Sequence, residues 1–167
     1  MSKNTNFPHI IDVEASGFGP ESYPIEVGVI KSCGERYCTL IQPHERWSHW
    51  SKDAEELHGI SRATLLKKGK AIRDVCFELN EFLGNDHVFT DAWSHDEAWL
   101  SRLYRRARIH PSFSVRAIEF ILEEDQLLLW DHTKEIIAAK SSFPRHRASN
   151  DAYVIQQTFI ACKNQIN

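Results

Sequence analysis

Residues 8–14 form a short apolar run interrupted by two acids, Asp12 and Glu14. Pro8 stands at its start, and Gly17 and Gly19 follow it, so the segment predicts a buried strand. On a strand, residues two apart leave from the same face. Both carboxylates are therefore committed to one side of a sheet whose other residues here are apolar. Burying two such charges is costly unless they meet a cation. A second Asp-x-Glu, Asp53-Ala54-Glu55, sits in a polar helical stretch. There, solvation and the positive end of a helix are explanation enough.

The rest of the chain supplies the frame for that strand. Residues 23–31 and 36–41 are β-rich, with Gly34-Glu35 as a turn between them, so the first three strands predict a meander. Helical pieces follow at 53–58 and 61–66, separated at Gly59. Residues 71–83 carry apolar side chains at 72, 75, 76, 79, 82 and 83, a helical period that Gly84 ends. A strand at 87–90, a helix over 94–108 and a strand at 113–118 come next. A helix over 123–140 then leads into a loop at 141–147. Ser149 is the expected N-cap of a last helix reaching about Lys163. Three strands, then helices and strands in alternation, predict a single α/β domain over 1–167 with a mixed sheet.

Composition narrows the function classes. A formal charge of −3 argues against coating long nucleic acid by electrostatics alone, but not against gripping a few phosphates locally. Positive charge is clustered at Arg102, Arg105, Arg106 and Arg108, at Lys67, Lys68 and Lys70, and at Arg145 and Arg147 around His146. No segment has the length and apolarity of a membrane span, and the polar start does not read as a signal peptide. The four cysteines form no CxxC pair, which predicts reduced thiols and a cytoplasmic protein. Nine histidines prompt a zinc-hydrolase reading, which the scattered positions and the lack of any HExxH spacing argue against. Trp47, Trp50 and Trp93 fall in or near loops, where indoles stack on unpaired bases or cap the core edge. Trp99 and Trp130 read as core.

Taken in order, the acidic residues form a pattern. Asp12-Val13-Glu14 ends the first strand, Asp96 opens the mid-chain helix with Trp99-Leu100 behind it, and His146 precedes Asp151 by five positions. With Pro24–Ile30 as a second strand and a Leu57-His58-Gly59-Ile60 segment, nearly the whole chain resembles the DEDDh family of 3′–5′ exonucleases. Three positions depart from the family pattern. Its second motif, usually Asn-x-x-Phe-Asp, carries Ala92 and His95 here, which leaves Asp91 as the alternative to Asp96. Asn150 stands where an aspartate is frequent.

The resemblance implies an RNase H-like fold, a mixed five-stranded sheet flanked by helices. It implies that Asp12, Glu14, Asp96 and Asp151 hold two Mg²⁺ or Mn²⁺ ions, with His146 as general base. The implied reaction releases nucleoside 5′-monophosphates from a 3′ end, single-stranded ends being the expected substrate. Ser16, Gly17, Phe18 and His58 are then candidates for contact with the terminal nucleotide, and Arg147, with Arg145, for its phosphate. Nothing in the sequence reads a 2′-hydroxyl, so DNA and RNA are both admitted. A homodimer is among the states the resemblance admits. A catalytically silent nucleic-acid-binding module with the same fold is the alternative; it predicts the loss of a ligand, and none of the five residues is missing.

Overall fold

A computed structural model describes residues 7–166. The start of the chain, read above as too polar for a signal peptide, lies largely outside the described residues. Five strands form one mixed sheet in the order β3-β2-β1-β4-β5. These are β1 (His9–Ala15), β2 (Pro24–Ile30), β3 (Arg36–Leu40), β4 (His87–Thr90) and β5 (Ser114–Ala117). The expected meander is present, because β1 pairs antiparallel with β2 and β2 with β3. β4 and β5 join in parallel, each after a helical crossover.

Six α-helices complete the fold among the described residues: α1 (Lys52–His58), α2 (Arg62–Lys68), α3 (Ile72–Leu83), α4 (Trp93–Ala107), α5 (Glu124–Lys140) and α6 (Ala148–Ile166). Local chemistry sets several of their ends. Ser51 and Ser61 cap α1 and α2 through their side chains, and Glu123 with Gln126 forms a capping box on α5. Among the described residues no helix is long and apolar enough to cross a membrane, and the four cysteines are free thiols.

The alternation along β1 divides the core. Ile11 and Val13 face α3 and α4, where Val75, Leu79, Leu83, Leu100 and Leu103 close over them. Ile10 faces the other way, onto Ile155 and Phe159 of α6 and Trp130 of α5. Full burial of each such aliphatic side chain contributes about 1.5–3 kcal/mol, so the sheet is held from both faces. Asp12 and Glu14 share the parity of Ile10 and therefore face the α6 side.

Across the sheet, Asp12 lies opposite Gly28 and Glu14 opposite Glu26. Gly28 is there for closeness. A Cβ on it would stand 2.3 Å from the backbone of both Ala148 and Ser149, so only glycine lets the start of α6 rest on β2. The helix begins at Ala148, which places Ser149 inside its first turn and corrects its assignment as the N-cap. The acceptors come from elsewhere. Buried Glu26 takes the Ala148 N–H at 3.0 Å, and Asp151 takes the His146 N–H at 3.1 Å.

Candidate active site

The pocket at the carboxyl ends of β1 and β4 is lined by Asp12, Glu14, Asp96, His146 and Asp151, together with Gly17, Phe18, His58 and Trp99. Three elements deliver the acids. β1 carries Asp12 and Glu14, the first turn of α4 carries Asp96, and the first turn of α6 carries Asp151. One ligand atom each from Glu14, His146 and Asp151 lie within 4.8 Å of one another. Residues 132 positions apart in sequence thus meet because Gly28 and Glu26 dock the start of α6 beside β1.

Electrostatics at this pocket are unfavourable for bare carboxylates. Asp12 keeps some exposure as a residue, yet its carboxyl is held well above the usual range. Desolvation is the main cause, followed by the charges of Asp96, Glu14, Asp151 and Asp91. Glu14 is pushed up to about 8, again by burial first and then by Asp151 and Glu26. Asp96, 1% exposed, is raised to about 7 by burial, although it accepts a hydrogen bond from Thr90 that works the other way. Asp151 is raised by burial, while His146 and Arg145 pull it down. Four acids held above their ordinary values in one pocket form a set that a divalent cation would relax.

Asp91, the alternative to Asp96, is engaged elsewhere: Lys134 of α5 holds it at 2.5 Å. His146 lies in the loop before α6 with φ 58°, a left-handed conformation that costs a non-glycine residue about 1 kcal/mol. That turn aims its N–H at Asp151 and leaves its half-buried ring against the acids. Arg147, expected at a phosphate, has its fork on Glu26 instead, with Nη2 at 2.7 Å and Nε at 3.1 and 3.2 Å. Arg145 beside it is exposed.

The opposite wall is aromatic and small. Ser16 bonds His49 Nδ1 at 3.0 Å, and a Cβ on Gly17 would meet His49 at 2.6 Å, so the segment before α1 folds down onto this turn. Phe18 is 68% exposed and meets the ring of His95 edge-on; His95 in turn lies against Trp99. His95 thus places a ring where the usual motif has phenylalanine. Trp99 packs against the core as expected and also lines the pocket, its N–H donating to Ser22 at 2.8 Å. It lies three residues beyond Asp96 on a helix, a spacing that puts both on one face. His58 is buried, and its Nδ1 accepts from the Ile60 N–H at 3.1 Å. Burial lowers its pKa, against the pull of Glu55 and Glu26.

Trp47 stacks on Tyr23, and the Trp50 N–H reaches Glu55 at 2.5 Å, so both brace the structure from within. Trp130 is in the core as expected. No local pattern marks Glu26 as the dock for α6, because its partners lie 121 and 122 residues away.

Residues 9–159 match the RNase T exonuclease family. No curated protein matches the chain in sequence. Among solved structures, the fold is similar to the zinc-bound form of E. coli exonuclease I in complex with single-stranded DNA, with a TM-score of 0.74 and 13% identity over 94% of this chain and 40% of that one. It is similar to the same E. coli protein in complex with a dA16 oligonucleotide, at TM-score 0.69 and 13% identity, over 92% and 39% of the two chains. Exonuclease I from Methylocaldum szegediense gives 0.70 and 14%, over 95% and 40%. The chain therefore spans about two fifths of those proteins, and at such identity the likeness is one of fold, the RNase H-like sheet and its helices. With the family match running through every motif residue, from Asp12 to Asp151, the chain belongs to the RNase T exonuclease family, of the DEDDh type its motifs resemble.

Proposed function

We propose that residues 1–167 act as one domain that hydrolyses phosphodiester bonds from the 3′ end of single-stranded nucleic acid, releasing nucleoside 5′-monophosphates. The observation that carries this reading is the convergence of Glu14, His146 and Asp151 beside Asp12 and Asp96 in one pocket. The carboxylate donors suit a hard divalent cation, Mg²⁺ or Mn²⁺, and the raised pKa values of all four acids fit a place built for positive charge. Asp12, Glu14, Asp96 and Asp151 would hold two such ions, which supply Lewis acidity and charge neutralisation at the scissile phosphate.

The chain's own groups do the rest. His146 takes the proton from the attacking water, and its loop position beside Asp151 leaves the ring free to adjust when substrate enters. Arg147 and Glu26 hold the start of α6 so that His146 and Asp151 keep their places, which leaves the exposed Arg145 to meet phosphate. Phe18, His95 and Trp99 offer rings for the terminal bases, Ser16 and Gly17 shape the turn beneath them, and His58 lines the same pocket beside the terminal nucleotide. The single-stranded DNA in the similar exonuclease I structures supports DNA as the first substrate to try. A cytoplasmic location is part of the same proposal.

The test is a time course on 5′-labelled single-stranded DNA and RNA of equal sequence, with Mg²⁺, Mn²⁺, Zn²⁺ or EDTA. A metal-dependent ladder that shortens from the 3′ end is expected. Binding without shortening under every metal would leave a silent binding module.

A further inference from the structure

A groove of about 630 Å³ lies on the other flank of α4 from the acidic pocket, between that helix and the edge strand β5. Asp96 and Trp99 face the acids, whereas Trp93, Leu100, Tyr104 and Arg108 face the groove. The groove thus starts three residues before Asp96 and runs the length of the helix, roughly 22 Å. Its floor is apolar, with Leu100, Tyr104 and Phe113 in it.

The two ends differ in chemistry. At the end nearer the acidic pocket, the Trp93 N–H donates to the Val115 carbonyl at 3.2 Å, which fixes the indole while 45% of the residue stays exposed. At the far end stand two members of the four-arginine cluster. Arg102 is spent on the carbonyls of Pro20, Glu21 and Ser22, and Arg106 on His44. Arg105 and Arg108 line the groove, and neither guanidinium has a partner among the described residues. Glu97, near Trp93, is the one acid in the lining.

We propose that this groove carries the 5′-ward stretch of the strand whose 3′ end enters the acidic pocket, with a base on Trp93 and phosphates on Arg105 and Arg108. A fixed, half-open indole and unpaired guanidinium groups along an apolar trough are what a single strand requires, since every base has a stacking face and every linkage a charge. A protein of net charge −3 must concentrate its free cations to hold a polyanion, and two of them are here. The proposal rests on the exonuclease reading for the polarity of the strand.

The test compares a dinucleotide, too short to leave the acidic pocket, with a strand of about twelve nucleotides. Affinity is read by anisotropy of the labelled long strand, and turnover is followed on both substrates. For Trp93→Ala, affinity for the long strand should fall about tenfold. For Arg105→Ala with Arg108→Ala, it should fall while the slope of log affinity against log salt flattens by about 1.4. Dinucleotide turnover should match wild type in all of them. Unchanged affinity for the long strand overturns the proposal and leaves the β5 edge to a protein segment. Equal losses on both substrates overturn it too, since the variants would then act through the acidic pocket. Failure of wild type to cleave the dinucleotide counts against the exonuclease reading alone, because the affinity changes still read the groove.

Discussion

Two Asp-x-Glu pairs lie within 45 residues of each other, and the fold treats them in opposite ways. Asp12 and Glu14 end a central strand, facing the start of α6 and the first turn of α4, where burial and one another's charge push both above the ordinary carboxylate range. Asp53 and Glu55 occupy the first turn of α1. There Asp53 faces solvent and Glu55 accepts from Trp50. The same tripeptide pattern is an unmet demand for positive charge in one place and a helix start in the other. What separates them is the apolar run before Asp12 and the elements packed around it.

The largest effect should come from neutralising the first pair. Asp12→Asn is expected to slow shortening of a 5′-labelled strand by roughly a thousandfold or more, since on the proposed function it removes a carboxylate that would hold positive charge at the reacting phosphate. It should also raise the melting temperature of the metal-free protein, because a desolvated carboxyl disappears. A variant that unfolds more easily without metal would contradict that account. Next comes His146→Ala, expected to lose about 10²–10⁴ in turnover while Mg²⁺ still raises the melting temperature as in wild type. Near-normal turnover would remove His146 from the proton transfer.

Arg147→Ala tests whether the site depends on its dock. It leaves Glu26, 1% exposed, without its ion-pair partner, and should destabilise the protein by about 2–3 kcal/mol in denaturant unfolding. The figure sits below that for a fully buried pair because the Arg147 side chain is 41% exposed. Ion binding should weaken alongside; a loss of stability with ion affinity untouched would separate Glu26 from the site.

The pH dependence follows from the raised acids. Glu14 has an ordinary value of 4.5 and stands at about 8 when folded, so between those values the folded state binds more protons than the unfolded one. Stability of the metal-free protein should therefore fall as pH rises from about 4.5 to about 8 and then level off. Mg²⁺ should stabilise most at the upper end. Melting curves in EDTA across that range check the sign, and a rise with pH would reverse it. The smallest effect belongs to the second pair: Asp53→Asn should cost no more than about 0.5 kcal/mol through the lost helix-end charge, with no change in shortening rate.

How far the sequence carried these assignments depended on where each signal lay. The element order was legible because apolar periods of two and of nearly four are written locally, and glycines mark most of the breaks. Asp12 and Glu14 stood out because they interrupt such a period. Asp96 and Asp91 could not be separated by spacing alone. The structure ties Asp91 to Lys134, whose distance of 43 residues leaves no local trace, and puts Asp96 in the pocket. Ser149 resembled an N-cap because serines usually are caps at such positions. The acceptor for that helix is instead Glu26, read from sequence only as one residue of an apolar strand. Trp99 was legible as a core aromatic and does pack against the core, but its second role in the pocket wall depends on Ser22 and His95, which no local pattern ties to it.

The contrast between the two pairs is tested most directly by titrating Mn²⁺ into wild type, Asp12→Asn and Asp53→Asn and counting bound ions by the loss of the free-ion electron paramagnetic signal. Two ions bound by wild type and by Asp53→Asn, with at least one lost in Asp12→Asn, is the predicted result. Equal binding by all three, or none by wild type, would contradict the claim that the acids of β1, α4 and α6 converge to hold divalent cations.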